Sequence, residues 1–239
     1  EKGLLDEDAF DAAVCRILTL KCDLGLFEDP RLPSQDLDVV VGSAEHAELN
    51  LEVARRSIVL LENDGTLPLT APSLRVALVG PLADDAQTQL GDWAGGSGQA
   101  GWLDGQPRDL IETVLDGLRA LPGWEVRHAR GGDILPLEQD PRGATFPDGQ
   151  PRPPVVVPTP PDRALLDEAV AAAEASDVVV AVVGDRIELV GEGRSTATLE
   201  LIGGQNALLD AVIATGKPVV VVVMASKPLV LPPSVARAA

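Results

Sequence analysis

The sequence predicts an α/β fold: a three-layer αβα sandwich on a mainly parallel sheet, incomplete at its carboxyl end and preceded by a helical linker segment. Three observations predict it. Val178 to Val183 and Val219 to Val223 are dense runs of branched apolar residues without polar alternation, as in strands buried on both faces. From Leu74 onward, strand-like and helix-like segments alternate, the pattern of parallel strands joined by right-handed crossovers. Glycine-punctuated loops follow the first and the central strand.

The elements follow in order. Residues 6 to 24 carry a helical stripe of Phe10, Val14, Ile17 and Leu18, with Asp6 as cap. Gly25 and Pro30 stop it. Residues 31 to 43, broken by Pro33, read as an irregular linker. A second helix is expected from Ser43 to Leu60 with Leu49, Val53 and Ala54 facing inward, ended by the Asn63-Asp64-Gly65 turn. Val76 to Val79 is a buried strand, and a long glycine-rich loop follows. Asp109 and Glu112 resemble a capping box for a helix through Leu121, with Leu110, Val114, Leu115 and Leu118 as its core face. Glu125 to Ala129 is the next strand. Residues 130 to 161, rich in proline and glycine, read as a long loop that is mobile at its middle. Ala164 to Ala175 is a helix, Val178 to Val183 the central strand, and Gln205 to Ala214 a helix closed by Gly216. Lys217 to Met224 opens with Pro218, where a missing N–H does least harm. It is as apolar as the central strand, so cover on both faces is expected.

Composition narrows the partners. The 239 residues can bury a sizeable core, and 45% hydrophobic with 23% charged residues is ordinary for a globular protein. A formal charge of −18 would repel nucleic acid and anionic membrane alike, so neither is expected as a partner. No stretch approaches the ~18 apolar residues of a membrane span. The chain opens on Glu1-Lys2-Gly3 and reads as a piece of something longer, which leaves cytoplasmic and secreted locations equally open. Cys15 and Cys22 lie on one helix, roughly 10 Å apart along its axis at ~1.5 Å per residue. That is too far for a disulfide, and two buried free thiols are expected. With two histidines and no Cys/His cluster at ligand spacing, no metal is expected. No G-x-G-x-x-G or Walker pattern leads into a helix, so no nucleotide cofactor is implied.

Chemistry is most visible after the central strand, in Gly184 to Ser195. Ligands of open α/β sheets collect beyond the carboxyl ends of the strands, and Glu192 stands there between Gly191 and Gly193. Glu188 and then Asp185 are the alternatives, and the rival reading is that all three are solvated loop charges. Arg194 either orients Glu192 or pairs with a nearby acid. In the loop after the first strand, Trp93 offers an indole face suited to the C–H face of a sugar, and Asp92 beside it can accept hydroxyl hydrogen bonds. Pinning its own loop is an equal use for Trp93. Trp102, Trp124, His46 and His128 read as structural. Ser195 and Thr196 have no local histidine to serve as base.

Several blocks in sequence order resemble one family. Val14-Cys-Arg-Ile-Leu-Thr-Leu-Lys-Cys-Asp-Leu-Gly-Leu-Phe-Glu-Asp-Pro30 is similar to the segment closing the amino-terminal barrel of glycoside hydrolase family 3 enzymes. Ala54-Arg-Arg-Ser-Ile-Val-Leu-Leu-Glu-Asn-Asp-Gly-Thr-Leu-Pro-Leu69 resembles the approach to their second domain, and Val76-Ala-Leu-Val-Gly-Pro-Leu-Ala-Asp-Asp85 its first strand and turn. Thr215-Gly-Lys-Pro-Val-Val-Val-Val-Val-Met224 with Lys227-Pro228-Leu229 resembles a later strand. The chain departs from the family at Glu62, where lysine is usual, and near Ile202, where proline is.

The resemblance implies that residues 1–30 end a barrel domain, 31–73 link the domains, and 74–239 form a truncated α/β sandwich. It implies a retaining, exo-acting, β-glucosidase-like hydrolase acting on β-linked oligosaccharides or aryl glycosides. Glu192 would be its general acid/base, Asp92, Trp93 and Arg194 would line the substrate, and an aspartate of the missing barrel would be the nucleophile. The piece alone would then be inactive, and its uncovered apolar surface would favour self-association. The rival from another class is a carbohydrate-binding or scaffolding module that kept the fold and lost catalysis. The sugar and linkage cleaved are not legible.

Overall fold

The computed structural model describes residues 6–32, 42–91, 108, 111–191 and 196–238. By internal contacts the chain divides into a unit of Glu1–Leu61 and a unit of Glu62–Ala239.

Among the described residues the first unit holds two helices. α1 (Glu7–Asp23) begins where the Asp6 carboxylate accepts the Asp8 N–H. It ends in a Schellman turn: Gly25 N–H reaches Cys22 O at 2.9 Å and Leu26 N–H reaches Lys21 O at 3.0 Å. Gly25 adopts φ 67°, which explains the glycine. α2 (Ala44–Ser57) is capped by Ser43 and stops before Ile58, short of the expected Leu60. Neither helix has a buried residue. Phe10 and Ile17 on α1, and Leu49 and Val53 on α2, are all exposed, contrary to the inward face expected of α2. Cys15 and Cys22 are free and exposed rather than buried. An apolar stripe states which side a helix would bury, and it cannot supply the partner that buries it.

The second unit is the α/β body. β1 (Leu74–Val79), β2 (Trp124–Ala129), β5 (Val178–Gly184) and β6 (Val219–Met224) form one all-parallel sheet in the order β2-β1-β5-β6. β5 is buried along its whole length. Its side chains alternate between two cores, as a period of two requires. Val179, Ala181 and Val183 pack with Ala169, Ala172, Leu208 and Val212 of α5 (Arg163–Glu174) and α6 (Gln205–Ile213). Val178, Val180 and Val182 meet Leu82, Leu115 and Ile134 on the other face. A short helix, α3 (Ala86–Leu90), follows β1 where only loop was expected.

Three expectations need correcting. The helix before β2, α4, runs only over Val114–Arg119, and its capping box is Thr113 with Asp116 rather than Asp109 with Glu112. Asp109 and Leu110 lie outside the described residues. β6 is as apolar as β5, yet beyond Val219 it is only half-buried, because among the described residues it is the edge of the sheet. The segment 130–161, expected as one long loop, contains a short strand pair. β3 (Leu137–Glu138) pairs antiparallel with β4 (Val155–Val156), and Asp140, 4% exposed, holds Arg142 at 2.7 Å. Arg152 stacks over the Phe146 ring at 4.3 Å.

Candidate active site

The chain leaves β1 outward to β2, then returns to the other side of β1 as β5. The strand order therefore reverses between β1 and β5, and ligands of such sheets bind beyond the carboxyl ends at that point. Two glycines end these strands. A Cβ at Gly80 would lie 2.0 Å from Val182 O, and one at Gly184 would lie 1.9 Å from Met224 O. Both have positive φ, so only glycine fits.

Beyond Gly184 the loop is gripped from several sides. The Gly184 N–H donates to Gln205 Oε1 at 2.8 Å, and Gln205 Nε2 donates to Gly184 O and to Ile202 O, each at 2.9 Å. Gln205 is fully buried, and three hydrogen bonds offset that burial. Asp185, 4% exposed, continues the sheet ladder through its N–H to Met224 O at 2.9 Å. Its carboxylate forms an ion pair with Lys227 Nζ at 2.7 Å. Arg186 pairs with Glu188, donates to Leu135 O at 3.3 Å and stands 3.9 Å from Asp85 Oδ2. A 3₁₀ turn, Ile187–Leu189, then leads to Gly191.

On the β1 side, Asp85 caps α3 by accepting the Thr88 N–H at 3.0 Å. Asp84 accepts from Thr113 Oγ1 at 2.9 Å and from Arg108 at 2.7 Å. A cleft of about 500 Å³ opens here, with Asp84, Asp85, Arg108, His128 and Arg130 in its wall. Burial pushes the His128 imidazole down from its ordinary value, which favours the neutral ring. A second cleft, of about 300 Å³, is lined by Gly91 from one loop, Asp185 and Val190 from the other, and Met224. Among the described residues no group of His, Cys, Asp or Glu could hold a metal ion.

Of the residues singled out in the sequence, Glu192, Arg194, Asp92 and Trp93 lie outside the described residues. Their immediate predecessors, Gly191 and Gly91, are described, and Gly91 and Val190 share one cleft. Glu188 has a side chain 14% exposed and bound to Arg186, and Asp185 is buried against Lys227. Both are engaged in holding the loop. Arg186, Gln205 and Lys227 were not anticipated. Their partners are set by folding, and the only local hint was a glutamine at the start of an apolar helix.

The profile of the glycosyl hydrolase family 3 C-terminal domain matches residues 58–239. The chain belongs to that family. A periplasmic β-glucosidase of Salmonella typhimurium is 37% identical to it over 241 residues, covering 97% of this chain and 29% of the relative. A β-xylosidase of Formosa agariphila is 35% identical, covering 92% and 27%. Among solved structures, a β-glucosidase involved in saponin metabolism from intestinal bacteria superposes with TM-score 0.89 at 59% identity, over 96% of this chain and 31% of that one. The β-glucosidase of Listeria innocua superposes with TM-score 0.74 at 29% identity, over 99% and 28%. This glycosyl hydrolase family 3 domain thus spans under a third of the length of these relatives.

Proposed function

We propose that this domain works within a retaining, exo-acting β-glycosidase of the β-glucosidase type, removing terminal β-linked sugars. Glu192 is its general acid/base, and Asp92 and Trp93 line the leaving-group side, with Arg194 beside the acid. The nucleophile is a carboxylate outside this chain, on the barrel domain that the family resemblance implies, so the isolated chain does not turn over. One observation carries this assignment: Gly91 and Val190, just before the two segments that hold these residues, line the same cleft at the carboxyl edge of the sheet.

The chemistry needs two carboxyl groups. The barrel carboxylate attacks the anomeric carbon, and the glycosidic oxygen leaves with the proton of the Glu192 carboxyl. Glu192, now a carboxylate, takes a proton from water as that water's oxygen displaces the enzyme carboxylate and releases the sugar. Glu188 and Asp185 suit this part less, since each is already committed to a cation that anchors the loop.

The test is Glu192→Ala in the intact polypeptide, assayed on aryl β-glucosides of graded leaving-group acidity. Poor leaving groups should lose about 10²–10⁴-fold in kcat and good ones far less, with azide restoring turnover as the glycosyl azide. Activity on poor leaving groups at the unmutated level would refute the assignment.

A further inference from the structure

Residues 185–191 carry the chain from β5 to position 192, and a single ammonium group spans them. Lys227, in the loop after β6, places Nζ 2.7 Å from Asp185 Oδ2 and 3.4 Å from Leu189 O. It thereby joins the first residue after the strand to the last residue of the 3₁₀ turn. The Asp185 side chain is 2% exposed and that of Lys227 is 26% exposed. Among the described residues Asp185 has no other ion-pair partner. Removing one partner of a buried ion pair is strongly destabilising. Lys227 therefore ties the start of the loop to its turn.

The surroundings make this grip consequential. The cleft of about 300 Å³ beside the turn is lined by Asp185, Ile187 and Val190, so a released turn has space to enter. Arg186 holds the turn through Glu188 and Leu135 O, and Lys227 adds a side-chain tie on the β6 side to the backbone bond from Asp185 N–H to Met224 O.

We infer that Lys227 is a positioning residue for the proton donor: through Asp185 and the Leu189 carbonyl it sets the path of the loop that presents Glu192. This role rests on Glu192 being the acid/base, and it goes further by assigning a function to a lysine more than thirty residues away. A displacement of about 1 Å at a reacting group can cost about 10²-fold in rate, so a loosened turn should register in catalysis before it registers in folding.

The experiment uses the intact polypeptide with Lys227→Met, Lys227→Arg and the pair Asp185→Asn/Lys227→Met. The pair removes the tie without stranding a buried charge, which guards against simple unfolding. Hydrogen exchange should rise about tenfold or more in 185–191 of the Met variants and stay unchanged in β1 and α6. Their kcat should fall about 10–100-fold for poor leaving groups and little for good ones, copying the pattern of Glu192→Ala, with Arg restoring most of it. Unchanged exchange in 185–191 overturns the tie itself. Raised exchange with kcat lowered equally for every leaving group, or not at all, overturns its catalytic part. If Glu192→Ala shows no dependence on the leaving group, the acid/base assignment fails, and the catalytic role of Lys227 with it. The exchange result still decides whether the tie exists.

Discussion

Single side chains decide how β5 hands over to the loop beyond it. Gln205 supplies an acceptor and a donor to the two peptide groups of Gly184, at a depth where water cannot replace them. Gln205→Leu would keep the volume and lose three hydrogen bonds, leaving buried backbone groups unpaired. We expect a loss of about 2–4 kcal/mol in unfolding free energy by urea titration, since each orphaned buried group costs ~1–3 kcal/mol. A loss under about 0.5 kcal/mol would mean that the clamp is replaced by another partner. The glycines at 80 and 184 could be read as loop residues from sequence. That a Cβ there would collide with a neighbouring strand's carbonyl is visible only once the strands are adjacent.

Elements show the same division between local and distant causes. β5 was legible because the six consecutive apolar residues Val178 to Val183 leave no solvent face, and its buried state agrees. β6 carries the same signal and is half-buried, since its cover depends on its place in the sheet rather than its composition. α4 was misjudged at its start. The pattern at Asp109 and Glu112 fits a capping box, but Thr113 and Asp116 complete one reciprocally, with Asp116 accepting the Thr113 N–H at 3.0 Å. Thr113 is also 2% exposed and bonded to Asp84, which joins this helix to the loop after β1. Thr113→Ala should therefore cost about 1 kcal/mol in the same titration, and Thr113→Ser much less. Equal stability of the Ala and parent proteins would show that the cap contributes nothing.

At the scale of the molecule, acid sensitivity follows from three carboxylates held by arginines. Backbone hydrogen bonding from Thr113, then Arg108, brings Asp116 to about 2. Arg142 does the same for Asp140, and Arg75 for Asp177, each from an ordinary 3.8 to about 2. A carboxylate depressed by folding adds stability that is complete above its unfolded value and lost as pH falls through the folded one. The urea midpoint should therefore drop between about pH 4 and pH 2. Self-repulsion among the excess acids of a chain at −18 is relieved between neutral pH and the isoelectric point near 4.3, and below that point growing positive charge adds to the loss. Comparison with Asp140→Asn separates the two: the variant should lose stability at pH 6 and converge on the parent near pH 2. Parallel curves across that range would exclude Asp140 from the acid response.

The four strands of the main sheet and the longer helices between them, the two-faced burial of β5, and the family were written in runs of neighbouring residues, because apolar period and turn chemistry act over a few positions. The candidate acid and its glycines were found the same way, from their distance past a buried strand. Folding alone settled which strand became an edge, why segment 130–161 closes around Asp140, and which cations grip the residues before position 192. Those outcomes are contacts between segments far apart in the chain. Local sequence carries propensity but no address for a distant partner, so Lys227 and Asp185 become a pair only when β5 and β6 lie side by side.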